Sequence, residues 1–270
     1  MATIITLINN KGGCSKTTST NAMAEILAKA GKKVLIVDND PQGNTSMKYG
    51  QFEKDSTHVI RGIEAAETPN IAEIYNYRLR TKEEVKETIK KTQIENLDII
   101  PASKRHEMTE NRIILNTAGN NKNILKRAMK TITDEYDYIF IDNNPSSGNL
   151  MLNAIYAADK ILTPVSCDTF SKASIEVILT IIEEFKEEYE LEVNFEGAFM
   201  TNANKGTNAT KKNMETLKSI LGDKALNTVI WRDTKVSESN TDLIPLTMYA
   251  PKTHAIEDYT NLMKEVGIIK

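Results

Sequence analysis

The stretch Thr3-Ile-Ile-Thr-Leu-Ile-Asn-Asn-Lys11-Gly12-Gly13-Cys14-Ser15-Lys16-Thr17-Thr18, with Asn21 to Ala30 after it, decides the fold. It opens as a β-branched apolar run, passes through two glycines and a lysine, and continues with a helical pattern. Strand, glycine loop and helix in that order make the setting of a phosphate loop. The paired glycines let backbone N–H groups turn inward, the helix N-terminus adds partial positive charge, and Lys16 supplies a point charge near the β and γ phosphates. The Thr17 hydroxyl is then placed to ligate Mg²⁺. Gly12, Gly13, Cys14, Ser15, Lys16, Thr17 and Thr18 are therefore the expected phosphate-binding residues.

Working outward, short β-branched runs recur at Ile4–Ile8, Val34–Val37, Leu97–Ile100, Tyr138–Ile141, Ile161–Pro164, Gly197–Thr201 and Thr228–Ile230, with helical patterns between them. Strands spaced by helices imply βαβ units, and continuous rather than alternating apolar runs imply helices on both faces. The expected fold is a doubly wound α/β domain with a mostly parallel sheet, spanning residues 1–270 as one unit. Ser171 to Glu190 has the helical period, with Ile175, Ile178, Leu179, Ile182, Phe185 and Tyr189 on one stripe. Glu183, Glu184, Glu187 and Glu188 lie largely off that stripe and read as a solvated face. Arg78 to Gln93 and Asn120 to Lys130 read as polar, Lys-rich helical stretches, and Arg61 to Pro69 as a surface loop.

With 270 residues, 40% hydrophobic and 26% charged, the composition is that of an ordinary soluble globular protein. A net charge of -3 gives no global pull toward nucleic acid or acidic membrane, so any such contact must come from a local cluster of cations. The two cysteines, Cys14 and Cys167, form no Cys-x-x-Cys pair, which argues against a disulfide framework or zinc site and for a reducing cytoplasm. Helix N-termini lower thiol pKa values, yet Cys14 reads as a spacer in the loop. The N-terminus lacks the charged flank and cleavage site of a signal peptide, and no apolar run approaches about 18 residues, so neither secretion nor membrane spanning is expected.

The loop departs from G-x-x-x-x-G-K-S/T, because Asn10 and Ser15 occupy the two glycine positions; it fits K-G-G-x-x-K-S/T. Two further boxes follow: Val34-Leu-Ile-Val-Asp38-Asn-Asp40-Pro41-Gln42-Gly43-Asn44, and Tyr138-Ile-Phe-Ile-Asp142-Asn-Asn-Pro145-Ser-Ser-Gly148. Both place carboxylates at the C-terminal end of a strand, where open α/β sheets bind ligands. Any one box alone is what an ordinary turn provides; three in order are not. With its extra Lys11, the set resembles the deviant Walker A pattern of the ParA/MinD family of ATPases. That resemblance implies ATP and Mg²⁺ as ligands and Lys11, Lys16 and Asp40 as catalytic residues. In the family the extra lysine crosses the interface of an ATP-sandwiched homodimer, and the residue that Asp40 resembles orients the attacking water. Asp142 resembles the Walker B carboxylate that holds the magnesium shell with Thr17. Asp38 either supports that shell or couples the nucleotide to the switch segments.

Asn153–Asp159, Ile161–Ser166, Gly197–Asn202 and Val236–Ser239 continue the resemblance, and Pro245–Lys252 with Tyr259, Leu262 and Glu265 looks like partition ParA proteins in particular. The implied partners are a second copy on ATP binding, DNA bound without sequence preference, and a centromere-bound ParB-like adaptor that stimulates slow hydrolysis, in a nucleoid-associated, cytoplasmic setting. By position the DNA contacts are Lys205, Lys211, Lys212, Arg232 and Lys235, with Gly206 where the family usually has an arginine. Asn202 and Asp233 fall in segments resembling those that contact adenine, with Trp231 in place of the usual proline. A MinD-like membrane switch is the alternative; it needs a basic amphipathic tail, whereas Glu257 to Lys270 mixes charges and fits a packed helix. An iron–sulfur carrier needs cysteines that this sequence lacks, a filament-forming role stays open, and no N-terminal operator-binding extension is expected.

Overall fold

The strands of the computed structural model are β1 (Thr3–Leu7), β2 (Val34–Asn39), β3 (Lys90–Lys91), β4 (Leu97–Ile100), β5 (Tyr138–Asn143), β6 (Lys160–Ser166), β7 (Phe195–Ala203) and β8 (Ala225–Trp231). They form one sheet in the order β3-β4-β2-β5-β1-β6-β7-β8, parallel throughout except that β3 runs antiparallel to β4. The helices are α1 (Lys16–Lys29), α2 (Asn44–Lys48), α3 (Ile71–Tyr77), α4 (Lys82–Glu87), α5 (Thr109–Leu115), α6 (Ile124–Lys130), α7 (Asn149–Ala157), α8 (Lys172–Tyr189), α9 (Asn208–Leu221), α10 (Thr234–Thr241), α11 (Leu246–Tyr249) and α12 (His254–Glu265). The structure describes residues 1–50, 69–77, 81–103, 106, 108–115, 121–170, 172–189 and 194–270.

The apolar runs are continuous because both faces of each strand are covered. Ile5, Leu7, Val34, Ile36, Phe140 and Leu162 turn to one face, where Met23 and Leu27 of α1 and Tyr259, Leu262 and Met263 of α12 cover them. Ile4, Leu35, Val37, Ile139 and Ile141 turn to the other, under Ile71 and Ile74 of α3, Leu125 and Met129 of α6, and Leu150 of α7. Beyond β1 that second face is completed by Ile175 and Ile182 of α8 and Leu217 of α9 over Ile161, Ala198 and Met200. The side-chain period of two thus sorts each strand into two buried halves.

β1 lies at the centre, between β5 and β6. From β1 the chain moves to β2 on one side, and from β5 it crosses to β6 on the other, so the strand order reverses there. Ligands of open α/β sheets bind outside the carboxyl ends of the strands at such a point, which is where β1 delivers the glycine loop.

Each expected strand is present: Leu97–Ile100 keeps its bounds, the first shifts by one residue to Thr3–Leu7, and the other five are longer by two to four residues. Three helical expectations are corrected. Among the described residues of Arg78 to Gln93, which exclude 78–80, only Lys82–Glu87 is helical, and Lys90–Lys91 pairs with β4 as a two-residue edge strand, too short to show a period. α6 starts at Ile124 rather than Asn120, because Asn153 Oδ1 of α7 accepts from the Ile124 and Leu125 N–H groups (3.0 and 3.3 Å) and caps it from outside. α1 starts at Lys16, not Asn21, with Ser15 as its N-cap. In α8, Ile175 and Ile182 are buried and Glu183, Glu184 and Glu187 exposed, while the side chains of Ile178, Phe185, Glu188 and Tyr189 lie outside the described residues. So do residues 61–68 of the expected surface loop.

β7 carries a bulge opposite β6, where Ile161 pairs with Phe195 but Leu162 with Gly197. Gly197 has φ 145°, and a Cβ there would stand 2.4 Å from the Lys224 carbonyl oxygen. Gly197→Ala is expected to cost about 2–3 kcal/mol, seen as a lower urea midpoint at unchanged slope; a wild-type midpoint would contradict this bulge geometry.

Candidate nucleotide-binding site

Gly13 (φ 69°) and Ser15 (φ 71°) are both left-handed, so the loop between β1 and α1 curls into a concave nest of N–H groups. No side chain caps α1 and no acidic residue occupies its first turn, which leaves its positive end facing the same concavity. Asn9 anchors the loop: its Nδ2 donates to the Pro164 carbonyl (2.8 Å) and its Oδ1 accepts from the Lys11 N–H (2.9 Å). Lys16 is 6% exposed and its Nζ donates to the carbonyls of Asn9 (2.8 Å) and Lys11 (3.1 Å), inside the loop. Lys11 turns the other way, and its Nζ donates to the Thr169 carbonyl (2.9 Å) at the surface. Cys14 is buried, its Sγ lies 3.2 Å from the Lys11 carbonyl, and burial pushes its thiol up, against a redox role and consistent with a spacer.

Facing the loop, Asp142 is the penultimate residue of β5 and fully buried. Its Oδ1 accepts from Thr17 Oγ1 (3.2 Å) and its Oδ2 from Thr45 Oγ1 of α2 (2.8 Å). Burial raises its pKa, the Asp40 charge adds to this, and the two hydroxyls and Lys16 only partly offset it. A buried carboxylate in that condition suits a cation, and an all-oxygen donor set suits a hard one. No group of three or more His, Cys, Asp or Glu side chains among the described residues could hold a metal by itself; Mg²⁺ typically takes one or two carboxylates and completes its shell with phosphate oxygens and water.

Asp40 faces the cleft, with its Oδ1 accepting from the Gln42 N–H (2.9 Å) in an Asx turn and its pKa raised by burial. Asp38 is as fully buried as Asp142, but its partners are Ser46 and the Asp40 N–H rather than Thr17 of the phosphate loop. Its Oδ2 takes the Ser46 N–H (2.8 Å) and Oγ (2.5 Å) and its Oδ1 the Asp40 N–H (3.3 Å). Those bonds tie β2 to α2, the arrangement that coupling to the switch segments needs.

Gly12 to Thr18, Asp40, Asn143, Asn202 and Asn240 line a cleft of about 380 Å³. A second cleft of about 330 Å³ shares Ser15, Thr18, Asn202, Val236 and Ser237 with it and continues past Trp231, Asp233 and Tyr259. Asn202 (φ 52°) and Asp233 thus line one trough that runs on from the phosphate loop. Asp233 also N-caps α10 through the Lys235 N–H (2.9 Å) and accepts from Thr253 Oγ1. Burial opposes its ionisation, but those hydrogen bonds outweigh it and hold the carboxyl below its usual value.

Of the residues expected to face DNA, Lys205, Lys211 and Lys212 are exposed together at the start of α9, with Lys205 Nζ 5.7 Å from the Trp231 ring centre. Arg232 instead pairs with Asp168, and Lys235 with Glu238 (2.8 Å), so both offer less net charge than the sequence implies. Sequence reasoning missed Thr45 on Asp142, and also the Asn39 Nδ2 to Asn143 Oδ1 bond (3.0 Å). The latter was open to inspection, because aligning the ends of the two carboxylate boxes sets Asp38 opposite Asp142 and Asn39 opposite Asn143.

The family model described as an AAA domain matches residues 2–195. The sporulation initiation inhibitor protein Soj of Bacillus subtilis (strain 168) is 33% identical over 267 residues, covering 99% of each chain. The chromosome-partitioning ATPase Soj of Treponema pallidum (strain Nichols) is 29% identical over 98% of this chain and 97% of its own. A Cyanothece McdA variant solved as its ATP complex shares the fold at TM-score 0.83 and 17% identity, over 100% of this chain and 98% of that one.

Because the folded-state value of Asp142 lies above that of an ordinary carboxylate, its contribution favours the fold at low pH and is lost as pH rises through the raised value. Asp142→Asn is therefore expected to stabilise the metal-free protein by about 1 kcal/mol at pH 8 and less at pH 5, measured by thermal denaturation in chelator. An equal or opposite pH dependence would contradict that placement.

Proposed function

This chain belongs to the AAA-domain family and is a ParA-type partition ATPase, an ATP hydrolase, and from that premise we propose how it works: ATP closes a homodimer that binds DNA without sequence preference, and a ParB-like adaptor stimulates hydrolysis and releases it. The observation that carries this reading is the divergence of the two loop lysines. Lys16 turns into the phosphate nest, while Lys11 turns out to the surface at Thr169, where it is positioned to serve the nucleotide of a second copy.

In this proposal Lys16 and the nest hold the β and γ phosphates, and Asn202 and Asp233 flank the base and ribose. Thr17 and Asp142 hold Mg²⁺, which when bound neutralises charge on the phosphate oxygens. Asp40, at the cleft wall, orients the attacking water. Charge gathers on the γ phosphoryl oxygens in the transition state, and its positive stabilisers come from two chains. Hydrolysis is slow until the adaptor orders them.

Lys205, Lys211 and Lys212 are the phosphate-facing cations that sequence-independent DNA binding needs, and the chromosome-partitioning names of the relatives favour DNA as the track. The membrane alternative is disfavoured because α12 packs Ala255, Tyr259, Leu262 and Met263 into the core, leaving no apolar face for lipid. No helix among the described residues is long and apolar enough to cross a membrane.

Fluorescence anisotropy with a nonspecific duplex, at low and moderate salt, tests this with ATP, ADP or no nucleotide. Binding is expected with ATP alone, strongest in Asp40→Ala, weakened by salt, lost in Lys16→Ala, and reduced at least about tenfold when Lys205, Lys211 and Lys212 all become Glu. No binding in any state would overturn the DNA step.

A further inference from the structure

Asp142 has two oxygens and each takes a hydroxyl, but the two hydroxyls are not equivalent. Thr17 lies in the first turn of α1, and in the function proposed above its oxygen turns to the cation, leaving Oδ1 of Asp142 to the cation's shell. Thr45 is fully buried and 2.8 Å from Oδ2. Its hydroxyl has one proton and two neighbours placed as acceptors, Asp142 Oδ2 at 2.8 Å and Asn21 Oδ1 at 3.2 Å. The proton belongs on the nearer, charged acceptor, and the Asn21 amide, turned to present its NH₂, then donates to Thr45. A directed line Asn21 to Thr45 to Asp142 results. Asn21 and Thr17 stand four residues apart on the same side of α1, so the ring closes on the helix that carries the phosphate nest.

We propose that Thr45 is the positioning residue that holds Asp142 in its cation-facing orientation and links that orientation to the Asp40 loop; this rests on Asp142 being the cation carboxylate. The link is covalent and short. α2 starts at Asn44, directly after Asp40-Pro41-Gln42-Gly43, and Ser46 beside Thr45 grips Asp38. Asp38 and Asp142 are paired in register on adjacent strands. The first turn of α2 therefore holds both carboxylates at once, and any movement of the Asp40 loop acts on Asp142 through Thr45.

The test follows binding of a fluorescent ATP analogue across a Mg²⁺ titration, in Thr45→Val, which keeps the shape and loses the hydroxyl, and in Thr45→Ser, which restores it. Thr45→Val is expected to raise the Mg²⁺ needed for half-saturation about tenfold, as loss of an outer-shell partner does, with Mg²⁺-free nucleotide affinity unchanged and Thr45→Ser close to wild type. Thr45→Ala must show the same shift and serves if Thr45→Val does not fold. Wild-type Mg²⁺ dependence in the Val or Ala variant, with that dependence lost in Asp142→Asn, overturns the role of Thr45 alone. Wild-type dependence in Asp142→Asn overturns the reading beneath it.

Discussion

A carboxylate buried at the end of the strand beside β1, and gripped from both sides by hydroxyls, is the constraint around which this structure is arranged. Burying a charge without a partner is costly, and Asp142 has only Thr17, Thr45 and the more distant Lys16 to offset it. That cost is tolerable because a parallel sheet covered on both faces supplies a large apolar core, with Ile139, Phe140 and Ile141 just before it in β5 fully buried. A stable fold thus tolerates locally unfavourable buried carboxylates, Asp142 and its neighbour Asp38, where binding can relieve them.

Behind the cleft, buried polar side chains in one chain of contacts satisfy one another. Asn143 Nδ2 donates to Thr6 Oγ1 (2.7 Å), Asn39 bridges to Asn143, and Tyr75 OH donates to Asn39 Oδ1 (3.0 Å), which stitches β1, β5, β2 and α3 together. On the other face Glu25 of α1 takes Tyr49 OH (3.1 Å) and the Thr247 N–H (2.9 Å). Burial pushes the Glu25 carboxyl up and the Lys48 ammonium down, and their mutual attraction counters both. Lys48 in turn donates to Asn240 Oδ1 (3.0 Å), whose amide reaches Thr18 (3.2 Å) at the cleft. Saturated networks of this kind rigidify their surroundings, so the loops bearing Asp40 and Lys16 rest on a fixed frame.

The local part of this design was legible in the sequence. The strands announce themselves as β-branched runs, the loop by its glycines and lysines, and the carboxylates by their position after apolar strands. What could not be read depends on side chains meeting across long separations. Thr45 and Asp142 are 97 positions apart, the cap that starts α6 comes from Asn153, and the ion pair that engages Arg232 comes from Asp168, 64 positions away. Asp38 shows the same limit in reverse, since strand position alone gives it the same claim on a metal as Asp142, and only their partners separate them, Ser46 for Asp38 and Thr17 of the phosphate loop for Asp142.

The outward turn of Lys11 to the Thr169 carbonyl is the observation on which the proposed two-copy site rests. Multi-angle light scattering of Asp40→Ala with no nucleotide, ADP or ATP, beside a Lys11→Ala double variant, measures this directly. A dimer with ATP alone, and a monomer in every state once Lys11 is removed, is the expected result; a single mass in all nucleotide states would contradict the shared site.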